Sequence, residues 1–130
     1  MSEADEKYDL QIVLCSGPES PEKATLAVAS GLSGVHSGLR VKIVLAMRGA
    51  VWAAASEGNS ELVHGYPSMG ELMEDFMEEG GVVFGCSSCI DQYCPAPRDD
   101  DGKKVLRKGI DRVGLSLVTL RMTDTPTVTF

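Results

Sequence analysis

The chain has 130 residues, of which 43% are hydrophobic and 24% are charged. This length is typical of one domain and too short for two, and the composition excludes a disordered or fibrous protein. The net charge of −7 argues against nucleic acid and anionic membranes as partners, because both are bound through clustered Lys and Arg.

Residues 1–8 form a polar leader, which is acidic where a secretory signal would be basic and then apolar. No later segment approaches the length of a membrane span. We therefore predict a cytoplasmic protein. In that reducing compartment, four cysteines are more typical of thiols, redox pairs or metal ligands than of structural disulfides.

The first part of the chain predicts two strands with a helix between them. The apolar run over 10–15 predicts a buried strand, because a turn sequence stops it. Ser20 as the capping residue and Pro21 at the first helical position predict a helix that continues to Val35. The run over 41–47 predicts a second buried strand.

The middle of the chain predicts a helix followed by a third strand. Ser68 and Glu71 have the spacing of a capping box, and apolar residues recur at helical spacing over 68–79. The apolar run over 82–86 then predicts a strand that stops at a cluster of cysteines.

The last part of the chain is less regular. Residues 96–108 are rich in charge and proline and predict a mobile loop, the run over 113–122 fits either a helix or a strand, and 127–130 predicts a last strand. Strands that alternate with helices predict one α/β domain over 1–130, with a mainly parallel sheet covered on both faces.

The cysteines point to a site at one edge of that sheet. Open parallel sheets bind ligands beyond the carboxyl ends of their strands, and Cys15 and Cys86 both stand at such ends. Cys86-Ser87-Ser88-Cys89 is a C-x-x-C motif directly after a strand and near a helix start, where free amides and the helix dipole stabilise a thiolate. We therefore predict that Cys86 is the reactive thiol and Cys89 its nearest partner.

Three roles for the cysteines remain open from the residues alone. They can be small buried hydrophobic residues, or Cys86, Cys89 and Cys94 can bind a metal with Cys15 or a histidine as the fourth ligand. The third role is thiol redox or sulfur transfer, which requires only one activated thiolate and no cofactor. This third role is favoured because it needs the fewest residues.

The order and spacing of several segments resemble the DsrE/DsrF-like family of small sulfur-relay proteins, which includes the TusD-type carriers. The resemblance spans most of residues 9–90. It rests on Leu14-Cys15-Ser16-Gly17-Pro18, Gly65-Tyr66-Pro67, Gly80-Gly81-Val82 and Cys86-Ser87-Ser88-Cys89.

The resemblance implies a three-layer α/β/α domain with a five-stranded, mostly parallel sheet, assembled into trimers or hexamers. In sulfur-transferring members a cysteine after the matching strand carries a persulfide, and that position is Cys86 here. The implied activity is that of a sulfurtransferase, which takes sulfane sulfur from a donor protein and passes it to an acceptor protein. The alternative is a non-catalytic oligomeric binding module whose cysteines hold zinc or an iron–sulfur cluster or are structural.

Overall fold

The computed structural model describes residues 6–130, so that the first five residues of the predicted leader lie outside it. No helix within this range is long and apolar enough to cross a membrane. The elements, in chain order, are β1 (Leu10–Leu14), α1 (Pro21–His36), β2 (Val41–Leu45), a 3-10 helix (Met47–Ala53), α2 (Met69–Glu78), β3 (Val82–Cys86), α3 (Ser87–Tyr93), β4 (Ile110–Val113), α4 (Leu115–Arg121) and β5 (Thr127–Thr129).

The five strands form one sheet in the order β4-β3-β2-β1-β5. Every neighbouring pair is parallel, so the sheet is parallel throughout. Parallel neighbours need crossover connections, and the helices between the strands supply them. The prediction of an α/β fold with a five-stranded parallel sheet is confirmed.

Helices α1, α2 and α3 lie on one face of the sheet. A Cβ atom added at Gly31 of α1 would lie 3.0 Å from Ile43 Cδ1 of β2 and 3.1 Å from the Phe76 ring of α2, so these three elements meet. The strands are in register and their side chains alternate, which places Gly85 of β3 on the same face as Ile43. Ile90 of α3 packs there, because a Cβ at Gly85 would lie 2.5 Å from it.

Among the described elements, α4 is the one helix on the opposite face. Gln11 of β1 points to that face, since it alternates with Ile12. Its side-chain amide donates a hydrogen bond of 3.3 Å to the carbonyl of Val118 in α4. The protein therefore has three layers: α1, α2 and α3 cover one face of the sheet, and the short helix α4 covers the other.

The two predicted helix starts differ in their capping. The Ser68 hydroxyl accepts a hydrogen bond of 3.2 Å from the Glu71 amide, which confirms this cap of α2. Pro21 is the first residue of α1 as predicted, but Ser20 makes no side-chain capping hydrogen bond. Ser20 is therefore the residue before the helix, as predicted, but it acts through its backbone carbonyl, which accepts from the Ala24 amide, and not through its hydroxyl.

The structure describes both regions of the last part of the chain for which the sequence predicted no single regular element. The run over 113–122 holds both alternatives, because β4 ends at Val113 and α4 begins at Leu115 after Gly114. Residues 96–108 contain no helix or strand of their own, apart from an isolated bridge between Arg98 and Lys104. The mobility of this loop stays a prediction.

Candidate functional site

The candidate site lies where the chain changes from one face of the sheet to the other. After β3 the chain enters α3 on the face that carries α1 and α2, whereas after β4 it enters α4 on the opposite face. Because β3 and β4 are neighbours whose following helices lie on opposite faces, their carboxyl ends form a switch point, the place where open α/β sheets bind ligands. Cys86 ends β3 there, opposite Val113 of β4.

Cys86 is both the last residue of β3 and the capping residue of α3, which begins at the next position. Its side chain is almost buried, with 2% of the residue exposed. The Cys86 Sγ atom lies 3.6 Å from the Ser88 hydroxyl oxygen. The end of β3, the start of α3 and the Ser88 hydroxyl therefore all lie beside this sulfur.

Burial raises the pKa of Cys86, because it disfavours the charged thiolate. Hydrogen bonds from the Cys89 amide, the Ser88 hydroxyl, the Cys89 thiol and the Ser88 amide act in the opposite direction and together outweigh burial. The contacts with the two amides fall short of the geometry of a side-chain capping hydrogen bond. The pKa of Cys86 therefore lies below its ordinary value.

Cys89 has the opposite shift. Burial raises the pKa of Cys89, and the Cys86 sulfur raises it further by hydrogen bonding and by charge, against a lowering by the Met47 amide and the Ser88 hydroxyl. The two sulfurs interact directly, and their proton affinities are unequal. Cys86 therefore loses its proton at lower pH than Cys89 does.

The Met47 amide reaches Cys89 from the 3-10 helix, which packs against α3. Met47 has a φ of 49° and is the one non-glycine residue with positive φ within residues 6–130. This left-handed conformation is costly for a side chain such as methionine, and strained backbone of this kind concentrates at functional sites.

Cys15 and Cys86 lie at the same edge of the sheet, as predicted, but Cys15 is not part of the site formed by Cys86 and Cys89. Strand β2 lies between β1 and β3. Two interstrand spacings put the Cα atoms of Cys15 and Cys86 about 10 Å apart. That separation exceeds the limit of about 7 Å for a disulfide. Cys15 is half-buried, and burial raises its pKa.

Cys94 lies at the other end of α3, where it is buried as the C-terminal capping residue. Its carbonyl accepts a hydrogen bond from the Lys104 ammonium. Within the described part of the chain, no three His, Cys, Asp or Glu residues are placed to hold a metal ion. The four cysteines that the sequence offered as metal ligands are therefore not such a group, and Cys86 with Cys89 is the pair that the fold brings together.

Two contributors to the site were missed in the sequence. Ser88 stands inside the C-x-x-C motif, and its position two residues after Cys86 at a helix start is the signal that could have found it. Met47 has no such signal, because its contribution comes from its backbone conformation and not from its side chain.

The fold matches that of the ychN protein from E. coli, known from its crystal structure. The TM-score is 0.73, the match covers 95% of this chain and 100% of that chain, and the sequences are 16% identical. A likeness at this identity shows the fold alone. No family model and no curated protein matches the sequence.

Proposed function

We propose that this chain is a sulfur-relay or thiol-redox protein of the DsrE/DsrF-like family, which carries sulfane sulfur as a persulfide on Cys86 and passes it to a protein partner. The observation that carries the proposal is the unequal thiol pair at the switch point. Cys86 has a lowered pKa and Cys89 a raised one, and each side chain contributes to the pKa shift of the other. Titratable groups whose pKa values are shifted in opposite directions are typical of reactive sites.

Loading is a transfer of one sulfur atom between two thiolates. The Cys86 thiolate attacks the outer sulfur of a donor persulfide, R–S–SH, so that a bond forms between Cys86 Sγ and that sulfur. The S–S bond of the donor breaks, and its electron pair leaves on the donor thiolate. No electrons are gained or lost overall, and the lowered pKa of Cys86 supplies the nucleophile.

Delivery is the same exchange with the roles reversed. An acceptor thiolate takes the outer sulfur, and Cys86 leaves as the thiolate that its surroundings stabilise. Cys89 offers a second outcome, in which it attacks Cys86 Sγ, forms a disulfide and releases the outer sulfur as sulfide. The raised pKa of Cys89 slows this loss, because the protonated thiol is a poor nucleophile.

The burial of Cys86 also supports a carrier. With 2% of the residue exposed, the sulfur is shielded from solvent oxidants, while Ser87 and Ser88 beside it are exposed. In a persulfide the outer sulfur lies about 2 Å beyond Sγ. A partner would therefore meet the outer sulfur before it meets Cys86 itself.

Intact-protein mass spectrometry tests the proposal. After exposure to an organic persulfide, the wild-type protein should gain about 32 Da, the mass of one sulfur, and Cys86→Ser should not. Cys15→Ser is the matched control, because it removes a thiol from the same edge and should leave the adduct intact. An equal adduct on Cys86→Ser would refute the assignment, and no adduct on the wild type would favour the binding module instead.

The partner in the assembly is proposed to be a second copy of this chain, in the trimer or hexamer that the resemblance implies. Helix α4 supports this, because Leu115, Leu120 and Met122 are each at least 44% exposed on the thinner layer. Sedimentation should show an oligomer that Leu120→Asp dissociates. Leu26→Asp is the control, since Leu26 of α1 is equally exposed at 53% on the other face and should leave the mass unchanged. A monomeric wild type would contradict this proposal.

A further inference from the structure

A cavity of about 430 Å³ lies at the end of the sheet opposite to the cysteines. Two segments of the chain line it: Glu74, Met77 and Glu78 of α2, and Arg107, Lys108 and Gly109 directly before β4. The segments meet closely, because a Cβ at Gly109 would lie 2.9 Å from Met77 Sδ. Cys86 pairs with Val113 at the other end of β4, four residues or about 13 Å along the strand. This Arg107 cavity is therefore separate from the thiol pair.

Arg107 is the unusual residue of this lining, because its charge is buried. Only 8% of the residue is exposed. Its Nη2 atom donates hydrogen bonds to the carbonyl of Ala54, at 3.2 Å, and to that of Glu57. Its Nε atom is buried and has no hydrogen-bond partner within residues 6–130, and Arg107 forms no ion pair in that range. A buried charge without a counter-charge is costly, and an anion in the cavity would offset that cost.

Three exposed charged side chains complete the lining. Glu74 and Glu78 are one helical turn apart, on the same side of α2 as Met77. Lys108 follows Arg107 on the other wall of the cavity. In the part of the chain that the structure describes, none of these three side chains is ion-paired, although acids and bases line one cavity. The two walls therefore carry opposite charges that are not in direct contact.

We infer that the Arg107 cavity binds a small zwitterion with the carboxylate and ammonium groups of a free α-amino acid. The carboxylate accepts hydrogen bonds from Arg107 and Lys108, and the ammonium group lies between Glu74 and Glu78. An apolar side chain of the ligand packs on Met77. A ligand with only negative charge would meet two carboxylates, and one with only positive charge would meet two cations, so both charges are needed. The volume is within the range of cavities that bind small molecules.

An NMR titration of the full chain with L-leucine tests the inference. The Nε–H resonance of Arg107 reports on the guanidinium itself, and L-leucine should shift it in a saturable way, together with the amide resonances of Met77 and Gly109. Two analogues separate the charges of the ligand: N-acetyl-L-leucine lacks the ammonium group, and L-leucinamide lacks the carboxylate. Each analogue should bind at least about tenfold more weakly than L-leucine, because one charged group of the cavity loses its partner.

Matched variants locate the ligand in the cavity. Lys108→Met and Glu78→Gln should each weaken the binding of L-leucine by about threefold to fivefold, because each removes one exposed charge from the lining. Lys103→Met and Glu79→Gln are the controls. They remove an exposed lysine of the same loop and an exposed acid at the same end of α2, and neither residue lines the cavity. Both controls should bind L-leucine as the wild type does.

The zwitterion site does not rest on the proposed function, and the two can fail separately. An Arg107 Nε–H resonance that L-leucine does not shift overturns the site, and so does equal binding of L-leucine and its two analogues. Equal weakening in the cavity variants and their controls also overturns it, because the net charge of the protein would then be the cause. Cys86→Ser should bind L-leucine as the wild type does, although it should take up no sulfur.

Discussion

Cys15 and Cys86 occupy equivalent places in the sheet and yet differ as chemical groups. Each stands at the end of a buried strand at the same edge, β1 in one case and β3 in the other. Burial raises the pKa of Cys15 without compensation, whereas at Cys86 hydrogen bonds outweigh burial and lower the pKa. The end of a strand is therefore not sufficient to activate a thiol.

The difference lies in the segment of chain directly after each cysteine. Helix α3 begins immediately after Cys86, so its first amides and the Ser88 hydroxyl surround the sulfur. After Cys15 the chain runs through a turn, and α1 begins only at Pro21, too far along the chain to offer its amides. The end of the strand places the cysteine at the edge of the sheet, and the helix that begins directly after it lowers the pKa of the thiol.

The 3-10 helix Met47–Ala53 connects the ends of β1 and β3. A substitution in it is expected to have the largest effect, a loss of stability. Its Gly49 rests on the end of β1, where an added Cβ would lie 1.9 Å from the Leu14 carbonyl oxygen. Gly49→Ala should therefore force the 3-10 helix off β1 and destabilise the protein by about 3 kcal/mol. Urea unfolding measures this as a lower midpoint.

Gly114→Ala is the control for this substitution. A Cβ at Gly114 would have its nearest neighbour at 3.9 Å, and Gly114 precedes α4 as its capping residue, so the unfolding free energy should fall by no more than about 1 kcal/mol. If Gly49→Ala were as stable as Gly114→Ala, the 3-10 helix would not be anchored on β1. The 3-10 helix would then not connect the end of β1 with the thiol pair after β3.

The layout of the fold could be predicted from the sequence, because it depends on local patterns. Apolar runs and helical spacing indicated the strands and the main helices, and Ser68 marked the start of α2. The run over 113–122 was ambiguous, since a short strand and a short helix share it and only Gly114 separates them. Ser20 was placed correctly before α1, but the residue type alone did not show that its hydroxyl makes no capping hydrogen bond.

The candidate site could be predicted only in part. The sequence indicated Cys86 and Cys89 through their spacing and their place after a strand. Strand order is not a local property, so nothing in the sequence revealed that β2 separates Cys15 from Cys86. The positive φ of Met47 depends on how the chain turns after β2, and the residue type does not predict it.

The smallest expected effect is the difference in pKa between Cys15 and Cys86. It can be measured by titration without altering the packing of the protein. A thiol reacts as its thiolate, whose ordinary pKa is about 8.5. The lowered pKa of Cys86 should place the midpoint of its alkylation profile at lower pH than the midpoint of Cys15, whose pKa is raised by burial. Each profile is scaled to its own plateau, so that the different exposure of the two residues cancels.

Peptide mass spectrometry follows both cysteines in one sample, and Cys89→Ala adds a second comparison. Removing the Cys89 thiol removes one of the hydrogen bonds that lower the pKa of Cys86, so the Cys86 midpoint should rise while that of Cys15 stays fixed. The rise should be only partial, because the Ser88 hydroxyl and the amides of residues 88 and 89 remain in place. Coincident profiles for Cys86 and Cys15 in the wild type would mean that the helix start does not distinguish these two strand ends.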